Sequence, residues 1–390
     1  MRLEKSIREI NEKIKKGEVV VLTASEMKEL IEEEGVKEAF KKVDVVTTGT
    51  FGAMCSSGAF INIGHADPPI RITEAWLDGV YAYAGMAAVD LYIGATQVSE
   101  SDKDFGGAHV IEKLIKGEKV HLKAINPGTD CYPRKELETW IDKNTINQAY
   151  LYNPRNCYQN YAAATNSSNK ILYTYMGTLL PEYGNITYST SGEISPLMND
   201  PYLKTIGIGT SIFFGGTRGY IAWEGTQFNK KAEREPKTGI PLPTGATLAL
   251  VGNLKEMNPD FIRPAVIKGY GISMYIGVGI PIPILSEEIV KYLSIRNRDI
   301  YTYIEDYGIK RRDKPIVRKV SYEELRSGRV KIGEKYVKSA PLSSMKKALE
   351  ISNILKLWIK EGKFFLTEKV ESLPIDGRYE PVNEEVKDEG

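Results

Sequence analysis

The apolar run VVVLT (19–23) constrains the fold most. It lies between two helical stretches and is followed by a second apolar run, VDVVTTGT (43–50). Residues 3–16 set Ile7, Ile10 and Ile14 on one face, and Gly17 stops the pattern. Ser25 is expected to cap a second helix reaching Glu34. Such alternation is the pattern of parallel strands covered by helices. The second run feeds GTFGAMCSSGAF (49–60), where Cys55 has only small neighbours on its C-terminal side. Open α/β sheets bind ligands in loops that leave a strand's carboxyl end. Cys55 is therefore expected at a site of chemistry.

Further along, the pattern changes. Residues 126–230 are rich in Asn, Tyr, Thr, Ser and Gly, as in LYNPRNCYQNYAAATNSSNK (151–170). Turn-rich polar sequence of this kind reads as a β-rich layer with loops fit for a small polar ligand. ATLALVGNL (246–254) and residues 272–285 read as buried strands, and Ser286 starts a helix. Short strands are expected around KPIVRKV and RVKIGEKYV, and an amphipathic helix over 343–361 ends at Gly362. The helix is expected to bury Met345, Leu349, Ser352, Leu355 and Ile359. The fold class is α/β in the mixed α+β sense: strand–helix alternation at the N-terminus, then a β-rich middle. Residues 1–370 are expected to form one catalytic domain, with a β-rich subdomain near 126–285. Residues 371–390 read as an acidic, flexible tail.

Composition excludes several functions. The chain has 390 residues, a net charge of +1 and no polybasic run, which argues against nucleic acid. RLEKSIREINEKIKKGE at the start lacks the apolar centre of a signal peptide. ISMYIGVGIPIPIL (272–285) is too short and too rich in Gly and Pro to span a bilayer. A cytoplasmic protein without membrane contact is expected. Homo-oligomerisation is expected because oligomers are common and tightly wound Gly-rich strands often pair.

Three cysteines, Cys55, Cys131 and Cys157, are too few for a disulfide framework or a four-thiolate cluster. All three lie in polar or glycine-rich contexts, whereas free cysteines are usually buried among apolar residues. Cys131 sits in INPGTDCYPRK (125–135), where Arg134 and Lys135 favour the thiolate. His121, ten residues upstream, is a candidate base for it. None of His65, His109 and His121 has zinc-like spacing to a cysteine, so no metal is expected. The glycine loops GIGTSIFFGGTRG and GYGISMYIGVGIPIP match neither the P-loop nor the dinucleotide fingerprint. Arg71, Arg155 and Arg218 are rival grips for a substrate carboxylate.

Several segments together carry a family resemblance: VVTTGTFGAMCSSGAFINIGHADPPIR, AVDLYIGATQ, GGAHVIEKLIKG, NPGTDCYPR and GIPIPIL. The chain resembles the archaeal homocysteine-biosynthesis family, the L-aspartate semialdehyde sulfurtransferases, over most of residues 1–370. The resemblance implies that L-aspartate semialdehyde, sulfide (directly or as a persulfide) and two electrons give L-homocysteine. Cys55 and Cys131 correspond to the family's two functional cysteines. Because Arg134 and Lys135 favour its thiolate, Cys131 is assigned the persulfide and Cys55 the resolving or aldehyde-capturing role, an assignment that can equally be swapped, and a Cys55/Cys131 thiol–disulfide cycle is reset from outside. Cys157, His121 and Arg134 would be accessory. No cofactor is expected within the chain, and the reductant would be another polypeptide such as a ferredoxin-like iron–sulfur protein. Two rival readings use the same residues: a persulfide carrier serving another protein, and a non-catalytic module that binds a small amino acid.

Overall fold

The computed structural model describes residues 4–85 and 90–374. The first helix, Ile7–Lys16, begins where Ser6 and Glu9 form a reciprocal capping box, and it ends at Gly17 in the left-handed conformation (φ 72°). Helix Ala24–Glu34 is capped two residues earlier than expected. Thr23, not Ser25, accepts from the Glu26 backbone N–H, and Glu26 returns the bond. A further helix, Val36–Lys42, follows at once. Strands Val21–Thr23 and Val45–Thr47 pair in parallel, and Pro281–Pro283 adds an antiparallel edge.

The chain around Cys55 differs from the expectation. The apolar run ends at Thr47, and a separate strand, Thr50–Ala53, joins a nine-stranded sheet by pairing antiparallel with Gly271–Gly279. Gly49 lies at the break because it passes under helix Met345–Lys360: a Cβ there would stand 2.1 Å from the Ala348 carbonyl oxygen. Cys55 thus sits in a short turn joining two strands of this sheet, Thr50–Ala53 and Gly58–Asn62, each paired antiparallel with other strands, and not at the carboxyl end of a parallel sheet.

Along its main path the large sheet runs Ile262–Ile267, Gly271–Gly279, Ser211–Phe214, Thr217–Glu224, Leu248–Asn253, Gln148–Asn156, Gly58–Asn62, Asp90–Gly94, all antiparallel. Helix Gly107–Lys116 buries Val110, Ile111, Leu114 and Ile115 in the core beneath it. Helix Met345–Lys360 buries Ala348, Ile351, Ser352, Leu355 and Ile359, while Leu349 of the expected stripe is exposed. Its contacts with Phe51 and Phe213 hold the Cys55 strand from behind. A second, six-stranded sheet draws Ala163–Thr165 and Asn185–Tyr188 into register with strands beyond residue 300. The strands of 126–285 are therefore divided between sheets. Of the expected tail, residue 371 bridges Ile208, and 375–390 lie outside the described residues. Among the described residues no helix is long and apolar enough to cross a membrane.

Candidate active site

The Cys55 turn is fixed by its neighbours. The Met54 backbone N–H donates to the Met274 carbonyl at 2.7 Å, and the Ser57 hydroxyl donates back to the Met54 carbonyl at 2.7 Å. Asn153 in turn donates to the Ser57 hydroxyl at 2.7 Å. Cys55 is left half-buried, its sulfur 3.1 Å from the buried Ser273 hydroxyl and 3.7 Å from the Tyr270 hydroxyl, which donates to it. The sulfur faces a cavity of about 230 Å³ whose walls include Arg155, Cys157, Tyr158, Thr190, Gln227 and Tyr270.

Arg155 reaches this chamber because strand Gln148–Asn156 slips register between Asn153 and Asn156. Such a bulge re-aims side chains. The Arg155 guanidinium is the one charged group among the described lining residues, which hold no Asp, Glu, Lys or His. Its Nε is buried without a hydrogen-bond partner in the described structure. An unmatched buried donor costs about 1–3 kcal/mol, and a bound anion would remove that cost. Burial pushes the Tyr158 hydroxyl up to about 12. Burial, then the Cys55 sulfur beside it, does the same to Tyr270, again to about 12. Both remain neutral hydrogen-bond donors at neutral pH. Burial also pushes the Cys157 thiol up, away from its nucleophilic form.

Backbone strain gathers here. Cys157 (φ 51°), Thr190 (φ 71°) and Gln227 (φ 65°) all line the chamber in the left-handed region. For a β-branched residue such as Thr190 this is a genuine outlier. Strain of this kind costs about 1–3 kcal/mol per residue and clusters at functional sites.

The other expected residues lie elsewhere. Cys131 is exposed in the connection between Val120–Ile125 and Glu136–Ile141 and does not line the chamber. Arg134 donates to the Pro68 carbonyl at 3.0 Å and to that of Asp67, pinning the Cys131 loop to the segment that follows strand Gly58–Asn62. His121 pairs with Glu138 at 2.9 Å and faces Trp140. It is four residues down the ladder from the end that holds the Cys131 loop, about 13 Å at the usual rise. Arg218 lies 4.8 Å over the Phe364 ring and donates to the Lys363 carbonyl. Arg71 is exposed and outside the chamber. Of the three rival arginines, only Arg155 lines the chamber with Cys55.

Sequence reasoning missed Tyr270, Ser273 and Thr190. GYGISMY offered only glycines as a signal, and those read as strand packing. Ser273→Ala is expected to slow Cys55 alkylation by iodoacetamide about threefold to tenfold, the loss of one ordinary hydrogen bond to the sulfur. Ser273→Thr should keep most of the rate. Stopped alkylation followed by mass spectrometry reads both.

Residues 19–366 match the family model described as "Homocysteine biosynthesis enzyme, sulfur-incorporation". The chain belongs to this family. It is 52% identical over 376 residues to an L-aspartate semialdehyde sulfurtransferase of Methanosarcina acetivorans, covering 96% of this chain and 73% of that protein. It is 53% identical over 385 residues to the protein of the same name in Methanocaldococcus jannaschii, covering 95% of this chain and 73% of that one. An uncharacterized protein of Methanothermobacter thermautotrophicus is 28% identical over 84% of this chain and 73% of its own. No solved structure matches the chain. The matched span of this homocysteine-biosynthesis enzyme includes Cys55, Arg155, Tyr270 and Ser273.

Proposed function

We propose that the chain converts L-aspartate semialdehyde, sulfide and two electrons to L-homocysteine, with Cys55 as the reacting thiol and Arg155 holding the substrate's α-carboxylate. One observation carries this reading: Cys55 and an unpartnered buried guanidinium atom line one small chamber. Cavities of about 300–1,000 Å³ suit drug-sized ligands; one of about 230 Å³ suits a single small amino acid. That size favours a small-molecule acceptor over delivery of sulfur to a protein.

The balance is RCHO + H₂S + 2e⁻ + 2H⁺ → RCH₂SH + H₂O. Sulfide adds to the aldehyde carbon and water leaves, giving a thioaldehyde. The Cys55 thiolate adds to its sulfur while the carbon takes a proton, giving the mixed disulfide Cys55–S–S–CH₂R. A second thiol then displaces the product thiol from Cys55. A Cys55 persulfide as the sulfur source would need a further two electrons, because its outer sulfur is zero-valent. With no Asp, Glu, Lys or His among the described lining residues, the sulfur nucleophile has to arrive ionised, and the neutral Tyr158 and Tyr270 hydroxyls supply hydrogen bonds. Cys131 takes part in this exchange only if its loop moves, since it lies outside the chamber.

Incubation with L-aspartate semialdehyde, ³⁴S-sulfide and a chemical reductant should yield free homocysteine carrying the heavy sulfur. Heavy sulfur retained on protein, with no labelled homocysteine, would refute the reading.

A further inference from the structure

A second cavity of about 690 Å³ adjoins the Cys55 chamber, and the two share Tyr161, Tyr175 and Gln227 as a wall. The wall is neutral: the Tyr175 hydroxyl lies 2.8 Å from that of Tyr307 and 3.4 Å from that of Tyr161. The outer cavity is lined by Lys230, Lys231, Arg312 and Lys314 against Glu305 and Asp313. Lys230 is paired with Glu224 at 2.9 Å, and Lys314 lies 4.8 Å over the Tyr307 ring. Burial pushes the Glu305 carboxyl up, toward its neutral form. The balance of charge is positive, and the volume is that of a small-ligand site.

The chemistry leaves a place for such a ligand. Splitting Cys55–S–S–CH₂R needs a second thiol. Cys131 does not line the chamber, and Cys157 is buried and held protonated.

We propose that the outer cavity binds a small anionic thiol that enters past Tyr175 and Gln227 to release the product from Cys55. This rests on the sulfurtransferase reading. The first thiolate attacks the Cys55 sulfur, forming Cys55–S–S–R′ and expelling the homocysteine thiolate. A second R′SH attacks the R′ sulfur, leaving the Cys55 thiolate and R′S–SR′. Two thiols are oxidised to one disulfide, which supplies the two electrons and two protons.

The test separates this step from homocysteine synthesis. Cys55 is capped as its methyl disulfide in a Cys131→Ser background. Uncapping is followed by intact mass with 3-mercaptopropionate (anionic), 2-mercaptoethanol (neutral) and cysteamine (cationic), with rates expressed per thiolate. The anionic thiol should be fastest, by about tenfold over the neutral one at low salt, and added salt should shrink the gap. Lys231→Glu/Arg312→Glu should abolish or invert the order while leaving Cys55 alkylation by neutral iodoacetamide unchanged. Equal per-thiolate rates in both proteins would overturn the proposal. So would a charge preference that survives the double substitution. A preference that collapses as expected in a protein that makes no homocysteine would uphold the anionic-thiol site and sink the sulfurtransferase reading alone.

Discussion

Cys55→Ser is expected to lower homocysteine formation by on the order of 10³-fold or more while leaving the unfolding midpoint nearly unchanged. The size follows from the surroundings of the sulfur. A thiol can ionise near neutral pH without help, but a serine hydroxyl needs a base. The described chamber lining offers no His, Lys, Asp or Glu to act as one. The variant's hydroxyl also cannot form a disulfide, so the electron-transfer step disappears along with the nucleophile. The fold should tolerate the change: the residue is only half-buried, and its turn is held by Met54, Ser57 and Asn153. Homocysteine assay with sulfide and a reductant in excess, beside a denaturant titration, checks both halves. Activity within tenfold of the wild type would place the chemistry on another group.

The parts of this site differ in how readable they were, for physical reasons. Local signals served well where the structure is local. Gly17 stops the first helix because a left-handed residue follows its last turn. The small residues around Cys55 marked a thiol left accessible. Signals failed where contacts are long-range. Ser273 and Tyr270 meet the Cys55 sulfur from 218 and 215 residues away, and no spacing rule links them. The strand reading of 43–50 ran through Gly49 because apolar period cannot register a helix, 345–360, crossing overhead. Cys131 beside Arg134 looked activated in one dimension, but that guanidinium is committed to backbone carbonyls of residues 67 and 68. Arg71, Arg155 and Arg218 were indistinguishable for the same reason: each stands in a polar or glycine-bearing stretch, and only pairing of distant strands brings one of them to the thiol.

Arg155→Ala is expected to raise the KM for L-aspartate semialdehyde by about 10–100-fold, with a smaller fall in kcat. A hydrogen bond to a charged group contributes about 1.5–3 kcal/mol, and each 1.4 kcal/mol is a factor of ten in affinity. Truncation also removes the one charge among the described lining residues, so no neighbouring cation there can substitute. Arg155→Lys should fall between the two, since lysine keeps the charge but not the planar fork that matches a carboxylate. Substrate chemistry supplies the control. An aldehyde of similar size without the α-carboxylate should be nearly indifferent to Arg155→Ala, because it never used the guanidinium. If both aldehydes lose equally, the arginine supports the chamber's shape or the Cys55 thiolate. If neither loses, the carboxylate is held by hydroxyls such as Thr190 and Ser189, which line the same wall. Steady-state kinetics on the two substrates decide among these outcomes. The expected result is a loss confined to the carboxylate-bearing aldehyde. That pattern would tie the unpartnered Nε to substrate binding, and it would explain why the one cation among the described lining residues shares the chamber with the thiol.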